Sequence, residues 1–147
     1  MRYMLGLLIL LMMTPAHAEC LFFCDDTATL PDDQARTVLQ GILGAPVPDG
    51  LTVTAMRQGG FQDAFYQARL TGNAASVTAL FAIGGLTMDD LTTDPTDFGP
   101  QNTDWWDVTT HPDLRAVQMP SPTLPYLAIG IAPDGTGFVI YLWAFET

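Results

Sequence analysis

The stretch 137–145 constrains the fold more than any other part of this 147-residue chain. Successive residues of a β-strand point to opposite faces of a sheet, so a strand here sorts its side chains into two sets. The two sets are Phe138, Ile140 and Leu142, and Val139, Tyr141, Trp143 and Phe145. Both sets are apolar, and other parts of the chain must therefore cover both faces of this strand.

Two hairpins are predicted. Residues 126–132 read as a partner strand for 137–145, because Pro133-Asp134-Gly135 between them is a turn sequence. Earlier in the chain, residues 51–56 and 61–70 are rich in β-branched and aromatic side chains. The second of these strands is expected to follow a reversal at Gly59-Gly60.

Two helices are also predicted. Thr29 can cap a helix over residues 31–43, and Gly44 ends it. Asn73 can cap a second helix that runs to about residue 83. Their apolar side chains recur at helical spacing, which indicates one buried stripe on each helix. The stripes are Val38, Leu39, Ile42 and Leu43, and Val77, Leu80 and Phe81.

Beyond Thr92 the chain has about thirty residues with six prolines and few apolar runs. A long loop with one short strand near residues 114–119 is expected there. The two helices can cover one face of the sheet, and this Pro-rich segment can cover the other. The sequence therefore predicts one α+β domain over residues 31–147, with two helices and a four- or five-stranded, mainly antiparallel sheet built from the two hairpins.

Residues 1–18 have the three parts of a secretory signal peptide: Arg2, an apolar run over 4–13 and the small-x-small site Ala16-His17-Ala18. The apolar run is about half of the roughly 20 residues that cross a bilayer, so we expect cleavage and no stable membrane insertion afterwards. An uncleaved membrane helix and a lipoprotein modified at Cys20 are the alternatives. The lack of lysine suggests a GC-rich bacterial source. The expected location is therefore the bacterial periplasm or the medium.

The chain's two cysteines, Cys20 and Cys24, lie in the segment 19–30 that precedes the predicted domain. Such a pair becomes a disulfide in an oxidising compartment. A ring this small stabilises a fold by about 2 kcal/mol at most, so the bond is expected to fasten the terminus. A redox site or a metal site is the alternative, although redox pairs are usually spaced more closely and a metal needs more ligands. We expect no cofactor and no metal.

The charge limits the classes of partner. The chain has 16 acidic residues against 5 basic ones and a formal net charge of −11. Removal of residues 1–18 takes away Arg2, which leaves four arginines and a charge of −12. A charge of this sign argues against nucleic acid as a partner and favours a basic protein.

Candidate catalytic residues are few. His111 is either a solvated turn residue or a base oriented by Asp107 or Asp113, and neither Ser76 nor Ser121 lies in a Gly-x-Ser-x-Gly nucleophile sequence. Paired carboxylates could serve a small hydrolase, but a chain of this size rarely provides a sugar-binding cleft. Otherwise they form a solvated acidic surface. The carboxylates are Asp25, Asp26, Asp32, Asp33, Asp89, Asp90, Asp94, Asp97, Asp104 and Asp107.

The most unusual local sequence is Trp105-Trp106-Asp107. Two adjacent indoles outside a strand must divide between core and surface, and at least one is expected to pack on the sheet. Burial of both is one interpretation. In the other, an exposed indole beside Asp104 and Asp107 anchors a protein or a cationic ligand.

The pattern Gly60-Phe61-Gln62-Asp63, with Phe65-Tyr66, Val77 and Leu80, and later Trp105-Trp106-Asp107, resembles that of small exported bacterial α+β proteins. The resemblance implies a similar domain, without a specific activity or residue roles. The leading hypothesis is a small acidic periplasmic binding or inhibitory module for a basic protein partner. A small periplasmic hydrolase that uses aspartates or His111, and an envelope structural or accessory subunit, are the alternatives.

Overall fold

The computed structural model describes residues 28–60, 63–93, 98, 99, 101 and 103–146. This part of the chain forms one six-stranded antiparallel sheet and two α-helices. The elements are β1 (Ala28–Thr29), α1 (Asp32–Leu43), β2 (Thr52–Gly59), β3 (Phe65–Gly72), α2 (Ala74–Ile83), β4 (Arg115–Gln118), β5 (Tyr126–Asp134) and β6 (Gly137–Phe145). The predicted α+β fold is confirmed, and the two-residue β1 adds an edge strand to the five longer ones.

Some predictions concern residues outside the described part. These are the signal peptide of residues 1–18 and the disulfide between Cys20 and Cys24. Phe61 and Gln62 of the Gly-Phe-Gln-Asp pattern, and the carboxylates of Asp25, Asp26, Asp94 and Asp97, also lie outside it. Of the helices that the structure describes, none combines the length and the apolar character needed to cross a membrane.

Helix α1 ends where the sequence predicts but begins differently. Thr29 as its cap is wrong, because Thr29 lies in β1 opposite Arg57, and Pro31 holds the cap position without a side-chain hydrogen bond. Gly44 has φ +68° and its N–H donates to the carbonyl of Gln40. Glycine adopts this left-handed conformation without the steric penalty of a Cβ atom, so the helix stops there.

Helix α2 and both hairpins are confirmed. The side-chain oxygen of Asn73 accepts the N–H of Ser76 at 2.9 Å and caps α2 as predicted. The first hairpin, β2·β3, has a longer reversal than expected, since β3 begins at Phe65. The second hairpin, β5·β6, turns at residues 135–136, and the short strand predicted near 114–119 is β4.

The strand order is β1-β2-β3-β6-β5-β4. Strand β6 pairs with β3 on one side from Phe138 to Phe145, and along its whole length with β5 on the other. This central position joins the two hairpins side by side. It also explains why β6 is apolar on both faces, since a central strand has no solvent-facing edge and here no solvent-facing side.

One side of the sheet, the helix face, packs against α1 and α2. Leu39 of α1 and Phe81 of α2 are fully buried on it. Met119 and Leu124 of the Pro-rich segment fill the same core. The sheet residues of the helix face are Met56, Ala68, Leu70, Leu127, Ile129, Ile131, Ile140, Leu142 and Ala144.

The opposite side, the loop face, carries the other side chains of the central strands. Phe98, Trp106 and Val108 of the Pro-rich segment cover it, as predicted. The sheet residues of the loop face are Arg57, Phe65, Gln67, Arg69, Ala116, Tyr126, Ala128, Ala132, Val139, Tyr141, Trp143 and Phe145. The two faces therefore have different kinds of cover, helices on one and irregular chain on the other.

Candidate functional site

The two adjacent tryptophans have different surroundings. Trp106 is 1% exposed, its ring meets Tyr141 edge to face at 5.3 Å, and its Nε1 donates to the carbonyl of Phe98 at 3.1 Å. The Phe98 ring in turn packs against Gly130, which has no side chain. A Cβ atom at Gly130 would lie only 2.6 Å from this ring. Trp106 therefore belongs to the core, and a partner cannot reach it without unfolding the loop.

Trp105 lies at the edge of this core. Its ring packs against Trp106 at 5.7 Å, nearly perpendicular, and remains half-buried. Asp104, the residue before it, is exposed. Of the four residues predicted to bind, Trp105 and Asp104 thus form the accessible pair of indole and carboxylate.

Asp107 is bound to the sheet beneath it. Its Oδ1 accepts the hydroxyl of Tyr141 at 2.5 Å and lies 3.4 Å from Nε of Arg69. Burial by itself raises the pKa of Asp107. The Tyr141 hydrogen bond, the Asp107 backbone N–H and the charges of Arg69 and His111 outweigh that effect, so the pKa is lowered. Asp107 is therefore ionised at neutral pH and fastens the loop to β3 and β6.

Tyr141 is protonated over an extended pH range. Its ring is fully buried in β6, and burial together with the hydrogen bond to Asp107 raises its pKa well above the ordinary value. A phenol with a raised pKa donates a hydrogen bond but does not supply a phenolate nucleophile at neutral pH. Its role in this arrangement is to hold the Asp107 carboxylate.

His111 stands beside the same carboxylate. Its Nε2 lies 3.9 Å from Oδ2 of Asp107, beyond hydrogen-bond length, and its ring is 5.7 Å from the Tyr141 ring. Of the two carboxylates proposed to orient it, the structure brings Asp107 close, whereas Asp113 is exposed and makes no ion pair within the described part. Asp107 and Asp113 therefore do not form a pair of carboxylates on either side of His111 that could act as acid and base.

A buried polar pair on the loop face has no counterpart in the sequence predictions. Arg57 Nε donates to Oε1 of Gln67 at 2.6 Å, and Nε2 of Gln67 donates to the Phe98 carbonyl at 3.2 Å. The Arg57 guanidinium lies 5.4 Å from the centre of the Phe65 ring. The sequence feature that could have predicted this pair is the alternation of side chains along β3. Gln67 and Arg69 lie on the same face of the strand as Phe65, and the apolar Ala68 and Leu70 lie on the opposite face.

The remaining aspartates are dispersed. Asp32 and Asp33 lie in the first turn of α1, where a negative charge complements the helix dipole. Asp90 accepts the backbone N–H of Thr87 at 2.7 Å and closes a short turn. Within the described residues, no group of three or more His, Cys, Asp or Glu side chains is placed to hold a metal ion.

The comparisons with known proteins give no relative. No protein-family model matches the chain, and searches of the curated proteins and of the solved structures give no match either. The residues on which the resemblance to small exported proteins rests do not all lie on the surface. Among them, Val77, Leu80 and Trp106 are buried in the core. The geometry of the loop face and the distribution of charge therefore carry the functional argument.

Proposed function

We propose that this protein is a small acidic binding or inhibitory module of the bacterial periplasm or medium, and that its partner is a basic protein. The signal-like sequence of residues 1–18 supports export. The partner class follows from how the positive charges of the fold are used. The contact surface follows from where the Pro-rich segment leaves an indole accessible.

The observation that carries the proposal is the internal use of the arginines. Each of the four described arginines directs its guanidinium to a group of the protein itself: Arg36 to the carbonyls of Val47 and Leu51, Arg57 to Gln67, Arg69 to Asp107 and Arg115 to the carbonyl of Leu91. A guanidinium that is hydrogen-bonded to a neutral group keeps its charge, but four arginines are too few to balance the acidic residues of the chain. Among the described acidic residues, Asp107 is the one that forms an ion pair.

The consequence is a surface of largely uncompensated carboxylates. Such a field accelerates encounter with a cationic protein and repels acidic ones. Long-range attraction alone gives little specificity, and a desolvated aromatic contact usually supplies the lifetime of a complex. Trp105, half-buried beside exposed Asp104, offers that contact.

The fixed position of the loop supports this role. Asp107, two residues after Trp105, is bound to Tyr141 and Arg69 of the sheet. Trp106 between them is buried. The indole of Trp105 is therefore held in place before binding, which lowers the entropy lost on association.

The test is capture of partners from bacterial envelope extract, followed by association and dissociation kinetics with the captured protein. We expect a basic partner whose association slows as salt is raised, with little change in dissociation. Trp105→Ala should speed dissociation about ten-fold or more, as loss of a central aromatic contact does. Asp104→Asn should slow association.

The matched control is Asp134→Asn, the same change at an exposed aspartate on the β5·β6 turn. It should slow association less than Asp104→Asn does. An acidic partner, or an association rate that ignores salt, would contradict the electrostatic part of the proposal. Unchanged dissociation in a well-folded Trp105→Ala variant would contradict the contact assigned to Trp105.

A further inference from the structure

We draw no further inference here: the strongest candidate, the exposed and uncharged face of α2 formed by the small side chains of Ala75, Ala79 and Ala82, carries none because nothing in the described part of the chain shows what covers it.

Discussion

The two faces of the central sheet are buried by different means. On the helix face, α1 and α2 satisfy their own backbone hydrogen bonds, so the side chains they bury against the strands are apolar except for Ser76 of α2. On the loop face the cover is irregular chain, whose carbonyls need partners from side chains. The carbonyl of Phe98 accepts both Nε1 of Trp106 and Nε2 of Gln67. A core under irregular chain therefore has to contain polar side chains.

This difference places the charged groups. On the loop face Arg69 forms an ion pair with Asp107, and the hydroxyl of Tyr141 donates a hydrogen bond to the same carboxylate. The buried side chains of the helix face are apolar except for Ser76, which carries no charge. Irregular chain also has no regular alternation of buried and exposed residues. On the loop face, half-buried Trp105 therefore directly precedes buried Trp106. Binding surfaces commonly arise on such loops, which a rigid scaffold holds in place.

The largest expected effect comes from the helix face. Phe81→Ala removes a fully buried ring from α2 and should lower the free energy of unfolding by about 3–5 kcal/mol. Chemical denaturation should show this in far-ultraviolet circular dichroism, which reports the helices. Ala82→Ser, an exposed change on the same helix, should alter stability by less than about 0.5 kcal/mol.

The same experiment can break the comparison. Trp105, Trp106 and Trp143 are the three tryptophans of the chain, and all belong to the loop face. Because β6 contributes side chains to both faces, tryptophan fluorescence and circular dichroism should report one common transition. Two separated transitions would show that the loop face unfolds on its own.

A smaller effect is expected from the polar contact of the loop face. Tyr141→Phe keeps the ring but removes the hydroxyl that donates to Asp107. It should lower the free energy of unfolding by about 1.5–3 kcal/mol, since a hydrogen bond to a charged group is lost. Tyr66→Phe is the control on the helix-face side, because no described contact engages the Tyr66 hydroxyl. Equal effects of the two changes would contradict the role given to Asp107.

The smallest effect is a dependence of stability on acid pH. The folded protein lowers the pKa of Asp107, so the unfolded chain binds a proton at higher pH than the folded one. The stabilisation is therefore fully present above the ordinary aspartate pKa, 3.8, and is lost as pH falls below it. Asp107→Asn should flatten this part of the stability profile, measured by denaturation between about pH 5 and 2. The control is Asp113→Asn, the same change at an exposed aspartate that makes no ion pair within the described part.

Local patterns predicted the elements well. Asn73 marks the start of α2 and Gly44 marks the end of α1, as predicted. Such caps can be predicted because capping depends on a few neighbouring residues. The double-faced pattern of β6 predicted two covers, and both exist. Thr29 was misassigned because a cap residue and an edge-strand residue have similar extended backbones, and the choice depended on pairing with distant Arg57.

The candidate site was only partly predictable. The sequence left open whether Trp105 and Trp106 are buried or exposed, because adjacent residues of a loop have no fixed period. Arg69 and Tyr141 were not foreseen as partners of Asp107, since each comes from a different strand. The sequence around Arg69 and around Tyr141 does not indicate which loop will cover these side chains.

By itself, the sequence determined the helices, the hairpins, the negative charge and the need to cover both faces of one strand. Periodicity, turn residues and composition fix these properties over short stretches of chain. Only the tertiary structure decided that β3 pairs with β6, which brings Arg69 beside Tyr141 and puts Phe65, Phe145 and Tyr126 in one row. The reason is physical: strand pairing and burial are set by contacts between residues far apart in the chain, where no local propensity acts.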